Sequence, residues 1–136
     1  MTNDDHASAA VQVVTEFLRL MEERDLVAAS RHIAPDADII FPGDRHFDSL
    51  EALVESAGKR YRTVAKNIEL IDSISNEVES VVYVIGRLSG VDANGTDFED
   101  VRFIDRLVVR DDLITDHRVW NDLAETGVVM SRESSG

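Results

Sequence analysis

The 136-residue sequence contains no cysteine, which excludes disulfides, thiol nucleophiles and thiolate metal sites. It has only two prolines and one tryptophan, and no apolar run approaches the roughly 20 residues that a membrane-spanning helix needs. Basic residues are scarce, since 14 lysines and arginines face 27 aspartates and glutamates for a net charge of −13. A field of this sign repels phosphate backbones and anionic lipid, so we expect neither nucleic acid nor a membrane as a partner.

The remaining composition is typical of one globular domain. Hydrophobic residues make up 43% and charged residues 30% of the chain, which is enough to bury a core at this length. We expect a single domain over 1–136, with its core at about 8–125 and polar ends. The first six residues are acidic and polar, unlike a signal or transit peptide. Together with the lack of cysteine, this predicts the cytoplasm as the compartment.

Apolar residues recur at helical spacing in three segments of the N-terminal half. The spacing predicts helices over 7–23 and 26–34, the second capped by Asp25 and ended by Pro35. A third helix is predicted to start after Asp48, with Glu51 completing a capping box. Its apolar stripe comprises Leu50, Leu53, Val54, Ala57, Tyr61 and Val64.

From Asn67 onward the apolar pattern changes to the alternation typical of strands. Four strands are predicted there, after a short strand between the second and third helices; together they cover 37–41, 67–75, 80–91, 97–109 and 113–123. The order α-α-β-α-β-β-β-β indicates an α+β domain with helices packed on one face of a curved antiparallel sheet.

The pairing register of the last two strands decides which of their side chains share a face. A three-residue loop at 110–112 sets Asp105 opposite His117, and a two-residue loop sets Asp105 opposite Arg118. We favour the three-residue loop because it gives the more coherent apolar face. It places Asp105 and His117 in the middle of the side that faces the helices.

The register of the preceding hairpin, across 92–95, is predicted from charge. Pairing Arg87 with Asp100 is favourable, whereas a shift of two residues would set Arg87 against Arg102. The helix-facing side then carries Val82, Val84, Leu88, Val101, Phe103, Leu107 and Val109.

An aspartate and a histidine on a concave apolar face form the most informative constellation in the sequence. A buried carboxylate is costly unless it is paired, and the His117 imidazole would satisfy Asp105. Such a pair can shuttle a proton. Alternatively, an Asp105 carboxyl kept neutral by apolar walls can donate a hydrogen bond to a developing oxyanion. A purely structural Asp–His pair is the other reading.

Other candidate residues have weaker patterns. Tyr61 is either a pocket-lining hydrogen-bond donor or a core residue with its hydroxyl at the rim. Asp122 falls on the opposite sheet face, and a bulge near the strand end would turn it inward. The outer face exposes an apolar set that a homodimer would cover, comprising Tyr83, Ile85, Ile104 and Trp120.

A basic cluster interrupts the acidic chain, comprising Lys59, Arg60, Arg62 and Lys66. We expect it to be a solvated helix face. No His-x-x-His, Glu-x-x-His or calcium-loop spacing occurs, so no metal is expected. No glycine-rich phosphate loop or Gly-x-Ser-x-Gly motif occurs either, and we expect no cofactor.

Three segments, taken in order, resemble the nuclear transport factor 2-like superfamily and, within it, the SnoaL-like and ketosteroid isomerase-related branch. They are Arg24–Ala29 with Ala34–Ile39, Phe41–Gly43 with the Asp48-capped helix, and Phe103–Val109 with Ile114–Asp122. The resemblance implies a cone-shaped, curved sheet wrapped around three N-terminal helices, with a cavity between them. It also implies a dimer through the outer sheet face. Members include isomerases, polyketide cyclases, dehydratases and epoxide hydrolases, and many are not catalytic.

Carried over residue by residue, the resemblance restricts the chemistry. Asp105 matches the carboxyl that serves as an oxyanion donor in ketosteroid isomerases. The general base and the helix-one tyrosine of those enzymes fall at Phe41 and Phe17, so their mechanism is not expected here. His117 resembles a last-strand histidine of SnoaL-like cyclases. Asp122 resembles the last-strand acid of limonene epoxide hydrolase-like members, whose Arg-x-Asp partner has no counterpart in this sequence.

Two functions therefore remain open. One is a cofactor-independent isomerase, cyclase or dehydratase that acts on a small, mostly apolar carbonyl compound, with Asp105 and His117 as an acid–base pair. The other is a non-catalytic ligand-binding or dimerisation module of the same fold. The predicted pocket wall comprises Phe17, Phe41, Tyr61, Phe103, Val119, Asn121 and Asp122.

Overall fold

The computed structural model describes the backbone of residues 3–127 and the side chains of residues 7–127, so the polar C-terminal tail predicted above lies outside the described residues. The elements are, in order, α1 (Asn3–Glu22), α2 (Leu26–Ala29), β1 (Ile33–Phe41), β2 (Arg45–Phe47), α3 (Leu50–Gly58), β3 (Tyr61–Ser75), β4 (Ser80–Asp92), β5 (Asp97–Arg110) and β6 (Leu113–Asn121). A single 3-10 turn, Ser30–His32, follows α2. The predicted α+β class is confirmed. No helix within the described part of the chain is long and apolar enough to cross a membrane.

The six strands form one curved sheet in the order β2-β1-β6-β5-β4-β3. Neighbouring strands run antiparallel except β1 and β6, which pair in parallel, so the sheet is mixed. No hairpin connects β1 to β6, and the direction of β1 is therefore set by where it docks. The core lies between α1 and the concave face, where Val14, Phe17, Val84 and Leu107 are fully buried.

The second helix is shorter than predicted. Its α-helical part ends at Ala29, and Pro35 lies inside β1 instead of ending a helix. Proline cannot donate a hydrogen bond to a neighbouring strand. The β1–β6 register shifts between Ile33 and Asp38, and this irregular stretch contains the proline.

The third helix is also shorter, because Tyr61 and Val64 belong to β3. Its N-cap is Ser49, not Asp48, and the Ser49 hydroxyl accepts a hydrogen bond from the Ala52 N–H at 3.1 Å. The apolar spacing that fits a helix through Val64 also fits a strand, and a 13-pair ladder between β3 and β4 decides the outcome.

The turn between β5 and β6 has two residues, Asp111 and Asp112, with φ angles of 51° and 63°. Two consecutive positive φ values are typical of the type I′ turn that matches strand twist. A bulge follows, so that Asp105 lies opposite Val119 and His117 lies opposite Leu107. Both registers considered above are therefore wrong. The favoured one is displaced by two residues, which leaves each side chain on its predicted face.

The predicted β4–β5 register is wrong as well, since Arg87 lies opposite Arg102. Each arginine has its own acidic neighbour. The Arg87 Nε lies 3.6 Å from Glu69, and the Arg102 Nε lies 2.6 Å from Asp122. Both pairs are solvent-exposed, where screening weakens like-charge repulsion. Burial of the apolar side chains on the inner face therefore stabilises the observed register by more than the repulsion between Arg87 and Arg102 destabilises it.

Candidate functional site

A cavity of about 110 Å³ lies between the concave face of the sheet and the helices. Its walls come from α1, β1, α3, β3, β4, β5 and β6. The structure brings Asp105 and His117 together there with six of the seven predicted wall residues, namely Phe17, Phe41, Tyr61, Phe103, Val119 and Asn121.

Asp105 and His117 are buried at the inner end of this cavity, with 0% and 2% of their surfaces exposed. The His117 Nε2 lies 3.0 Å from the Asp105 Oδ2. The two residues are diagonal neighbours on paired strands, because the residue directly opposite Asp105 is Val119. A diagonal pair on one face is within reach of a carboxylate and an imidazole.

Lys66 is the third member of this site, and sequence reasoning assigned it to a solvated helix face. Its Nζ lies 2.5 Å from the same Asp105 Oδ2 and 5.0 Å from the centroid of the Phe103 ring. Only 27% of its side chain is exposed. Val64 and Lys66 are two residues apart, so in a strand their side chains lie on the same face. This alternation would have predicted that Lys66 faces the cavity if β3 had been predicted to begin at Tyr61 instead of Asn67.

The cationic neighbours settle the charge of Asp105. Burial works to raise the pKa of this carboxyl, but the positive charge of Lys66 and the hydrogen bond from His117 outweigh burial, so the pKa is lowered. The carboxylate is therefore ionised and acts only as an acceptor. The reading of Asp105 as a neutral hydrogen-bond donor to an oxyanion is not supported.

An ionised Asp105 also sets the tautomer of His117. Because the His117 Nε2 faces an acceptor, it must carry the proton, and the neutral ring then has its lone pair on Nδ1. The Nδ1 atom is buried and has no hydrogen-bond partner among the described residues. The rings of Phe17 and Phe41 pack edge-on against the imidazole at centroid distances of 5.9 and 5.8 Å. His117 is thus oriented by contacts on several sides.

Asp122 does not lie with the other predicted wall residues. Its carboxylate pairs with Arg102, a residue whose side chain is 73% exposed. The Asp122 N–H instead donates to the carbonyl of Arg102. Within residues 7–127, no group of three or more histidine, aspartate and glutamate side chains is arranged to hold a metal ion.

Solved structures resemble this fold over almost its whole length. A nuclear transport factor 2-like protein of unknown function from Burkholderia pseudomallei K96243 has a TM-score of 0.75 and 15% identity, over 91% of this chain and 98% of that one. A nuclear transport factor 2-like protein from Burkholderia xenovorans LB400 has a TM-score of 0.68 and 22% identity, over 90% and 96%. A protein named as a SnoaL-like polyketide cyclase, from Jannaschia sp. CCS1, has a TM-score of 0.69 and 17% identity, over 98% and 99%.

No protein-family model matches the sequence, and no curated protein sequence matches it. The structural likeness shows the fold. This chain has the nuclear transport factor 2-like fold, which it shares with SnoaL-like proteins, as the three sequence segments predicted.

Proposed function

We propose that the protein is a cofactor-independent enzyme of the isomerase, cyclase or dehydratase class. The main support is the cluster of Lys66, Asp105 and His117 inside an apolar cavity. One oxygen of the ionised Asp105 carboxylate contacts both the Lys66 ammonium and the His117 Nε2. The substrate is a small, mostly apolar carbonyl compound, and the compartment is the cytoplasm. The similarity of fold to a protein named as a polyketide cyclase supports this class, although fold alone does not choose a reaction.

The proposed reaction begins at the His117 Nδ1, which removes a proton from the carbon next to the substrate carbonyl. The electron pair of that C–H bond forms a carbon–carbon double bond, and the π pair of the carbonyl moves onto its oxygen, which gives an enolate. The Lys66 ammonium has donors beyond the one that contacts Asp105, and it stabilises the negative oxygen. Asp105 stabilises the imidazolium, which then returns the proton to another carbon or to a leaving hydroxyl.

Hydrogen–deuterium exchange tests this step without knowledge of the final product. Small ketones and β-hydroxy carbonyl compounds are incubated with the protein in D2O, and loss of the C–H signal is followed by proton NMR. We expect His117→Gln to slow the exchange of an active compound by about 10²- to 10⁴-fold, because the base is removed.

The matched control is His46→Gln, which removes an exposed histidine that also lies near aspartates, at 3.4 Å from Asp38 and 3.1 Å from Asp44. This variant should exchange at the wild-type rate. Exchange that is equally fast in His117→Gln, or absent for every compound, would contradict the proposal. It would favour the second candidate function, a non-catalytic binding module. The small cavity volume and the complete burial of Asp105 support this second candidate.

We also propose that the partner of this chain is a second copy of itself. The registers place Leu70, Ile85, Ile104 and Trp120 in one row across β3, β4, β5 and β6 on the outer face. Trp120 is 51% exposed, and a contiguous apolar row of this kind favours association. The charges beside the row nearly cancel, so two copies of a chain with net charge −13 can approach each other there.

Trp120→Glu is expected to convert the dimer into a monomer, because a carboxylate in the apolar row would be desolvated in the interface. Sedimentation velocity at several concentrations measures the change. Val27→Glu is the control, since Val27 is 71% exposed but lies on α2, away from the sheet. A wild-type protein that remains monomeric at all concentrations would overturn the proposed dimer.

A further inference from the structure

A second polar group lies at the solvent-exposed part of the cavity wall and plays no part in the proposed proton transfer. It consists of three arginines around Tyr61, namely Arg24, Arg45 and Arg60, here called the arginine cluster. Arg24 and Tyr61 line the cavity. Burial raises the pKa of the Tyr61 hydroxyl, and the charges of Arg60, Arg45 and Arg24 all oppose that rise. The charges of all three guanidinium groups therefore act on one hydroxyl, and of the three arginines Arg24 lines the cavity, whereas Arg45 and Arg60 do not.

The arginine cluster has no acidic partner in the part of the chain that the structure describes. Within residues 7–127, none of the three arginines forms an ion pair with a carboxylate. Arg24 donates to the Met21 carbonyl at 2.7 Å, and Arg45 donates to the Pro42 carbonyl and the Ser56 hydroxyl, both at 3.0 Å. These acceptors are neutral and leave the positive charge uncompensated.

Arg60 is the least satisfied member of the cluster. Its Nε is buried and has no hydrogen-bond partner among the described residues. Burial of the Arg45 side chain lowers the pKa of Arg45, and the positive charge of Arg60 lowers it further, so the two guanidinium groups repel each other. Partly buried like charges without a counterion are costly. Their survival in a chain with 27 acidic residues indicates a ligand that supplies the negative charge.

Glu22 is an acidic side chain of the same cavity wall, and among the described residues it forms no ion pair with these arginines. Its Oε1 accepts a hydrogen bond from the Lys66 backbone N–H at 2.8 Å. Glu22 and Arg24 are both exposed residues of the cavity wall, so this end of the cavity reaches solvent. An anion can enter here without passing the buried inner end.

We propose that Arg24 and the Tyr61 hydroxyl, with the charges of Arg45 and Arg60 beside them, form a carboxylate-binding subsite, and that the ligand is a small organic acid with an apolar body. Guanidinium groups bind carboxylates through charge-assisted, often bidentate hydrogen bonds. The cavity wall also contains the apolar side chains of Leu53, Val54 and Leu88. The identification of this acid as the substrate of the enzyme rests on the proposed function. In that case its carboxylate lies at the solvent-exposed part of the cavity and its reacting carbon lies at His117.

Binding of hexanoate and hexanamide tests the subsite directly, because the two probes have the same size and differ in charge. Isothermal titration calorimetry gives both affinities. We expect hexanoate to bind wild type at least about tenfold more tightly than hexanamide. Arg60→Gln and Arg24→Gln should each remove most of this preference, whereas Arg60→Lys should keep part of it because the charge remains. Thermal melts verify that each variant is folded.

Arg62→Gln is the matched control, since Arg62 is an exposed neighbour of Arg60 in the sequence and is not among the arginines whose charge acts on the Tyr61 hydroxyl. It should keep the full preference for hexanoate. Equal affinity of the two probes, no measurable hexanoate binding, or a preference that disappears in Lys66→Gln but survives in both arginine variants would overturn the subsite. His117→Gln separates this inference from the enzyme proposal, because that variant should lose exchange activity and still prefer hexanoate.

Discussion

Asp105→Asn is expected to lower turnover by about 10³-fold and the free energy of unfolding by about 3 kcal/mol. The Asp105 carboxylate contacts both Lys66 and His117 through one oxygen. An asparagine amide that donates toward the His117 Nε2 favours the opposite tautomer, with the proton on Nδ1, and the base disappears. The same substitution leaves the Lys66 ammonium without its buried counterion. Deuterium exchange and chemical denaturation measure the two effects.

The stability effect depends on pH with a defined sign. Because the pKa of Asp105 is lowered in the folded protein, its ionised form stabilises the fold above the unfolded-state pKa of about 3.9. This contribution is lost as the pH falls through the lower folded-state pKa. The difference in unfolding free energy between wild type and Asp105→Asn should be constant near neutrality and narrow below about pH 4. A difference that does not change with pH would refute the ionised state assigned to Asp105.

The contribution of Lys66 changes how the Asp105 variant is interpreted. A pair of Asp105 and His117 alone would have allowed a stability loss to mark a structural role and a turnover loss to mark a catalytic one. With Lys66 present, a loss of stability is expected in both cases, since breaking a buried ion pair is costly whatever its function. Turnover is therefore the readout that distinguishes the enzyme from the binding module.

Gly86→Ala is expected to lower the free energy of unfolding by about 3 kcal/mol, at the upper end for overpacking. A Cβ at this position would lie 2.0 Å from the carbonyl oxygen of Asn67 and 3.0 Å from the Ile68 Cα. Both neighbours are backbone atoms of β3, beside a bulge between Ile68 and Leu70. The strands must separate to accept the methyl group, and the sheet loses curvature where β3 carries Lys66. Thermal and urea unfolding measure the loss.

Gly58→Ala provides the control for the added methyl group. Gly58 is the last residue of α3, and a Cβ there would meet no atom within 4 Å. Alanine in a helix is favoured over glycine, so this variant should be neutral or slightly more stable. A Gly86→Ala protein as stable as Gly58→Ala would show that β3 and β4 are not in close contact at the bulge.

Local chemistry made some features of this fold predictable. The apolar periodicity of α1 and the alternation in the last three strands indicated the elements and the inner face, because a side chain's face depends only on its parity along the strand. A register error of two residues therefore kept Asp105 and His117 on the same face. The cavity walls followed for the same reason, with Phe17 on the helix and Phe103 on the sheet.

The errors occurred where contacts between distant segments outweigh local pattern. The residues from Tyr61 to Lys66 fit a helix locally, and only pairing with β4 made them a strand and brought Lys66 to Asp105. The β5–β6 register depends on a bulge beside a turn of two aspartates with positive φ. The residues of the turn do not predict this bulge. Asp122 was predicted as a wall residue of the cavity, but its carboxylate instead forms an ion pair with Arg102 of the neighbouring strand.

The sequence by itself determined the class of the fold, the inner face of the sheet and the two residues at the centre of the candidate site. Periodicity, caps and charge are properties of short segments, and they suffice for those conclusions. Only the tertiary structure decided that Lys66 and His117 both contact the Asp105 carboxylate, that the His117 Nδ1 has no hydrogen-bond partner among the described residues and that the charges of three arginines act on Tyr61. Each of these depends on burial and on charges from strands far apart in the chain, which no local pattern contains.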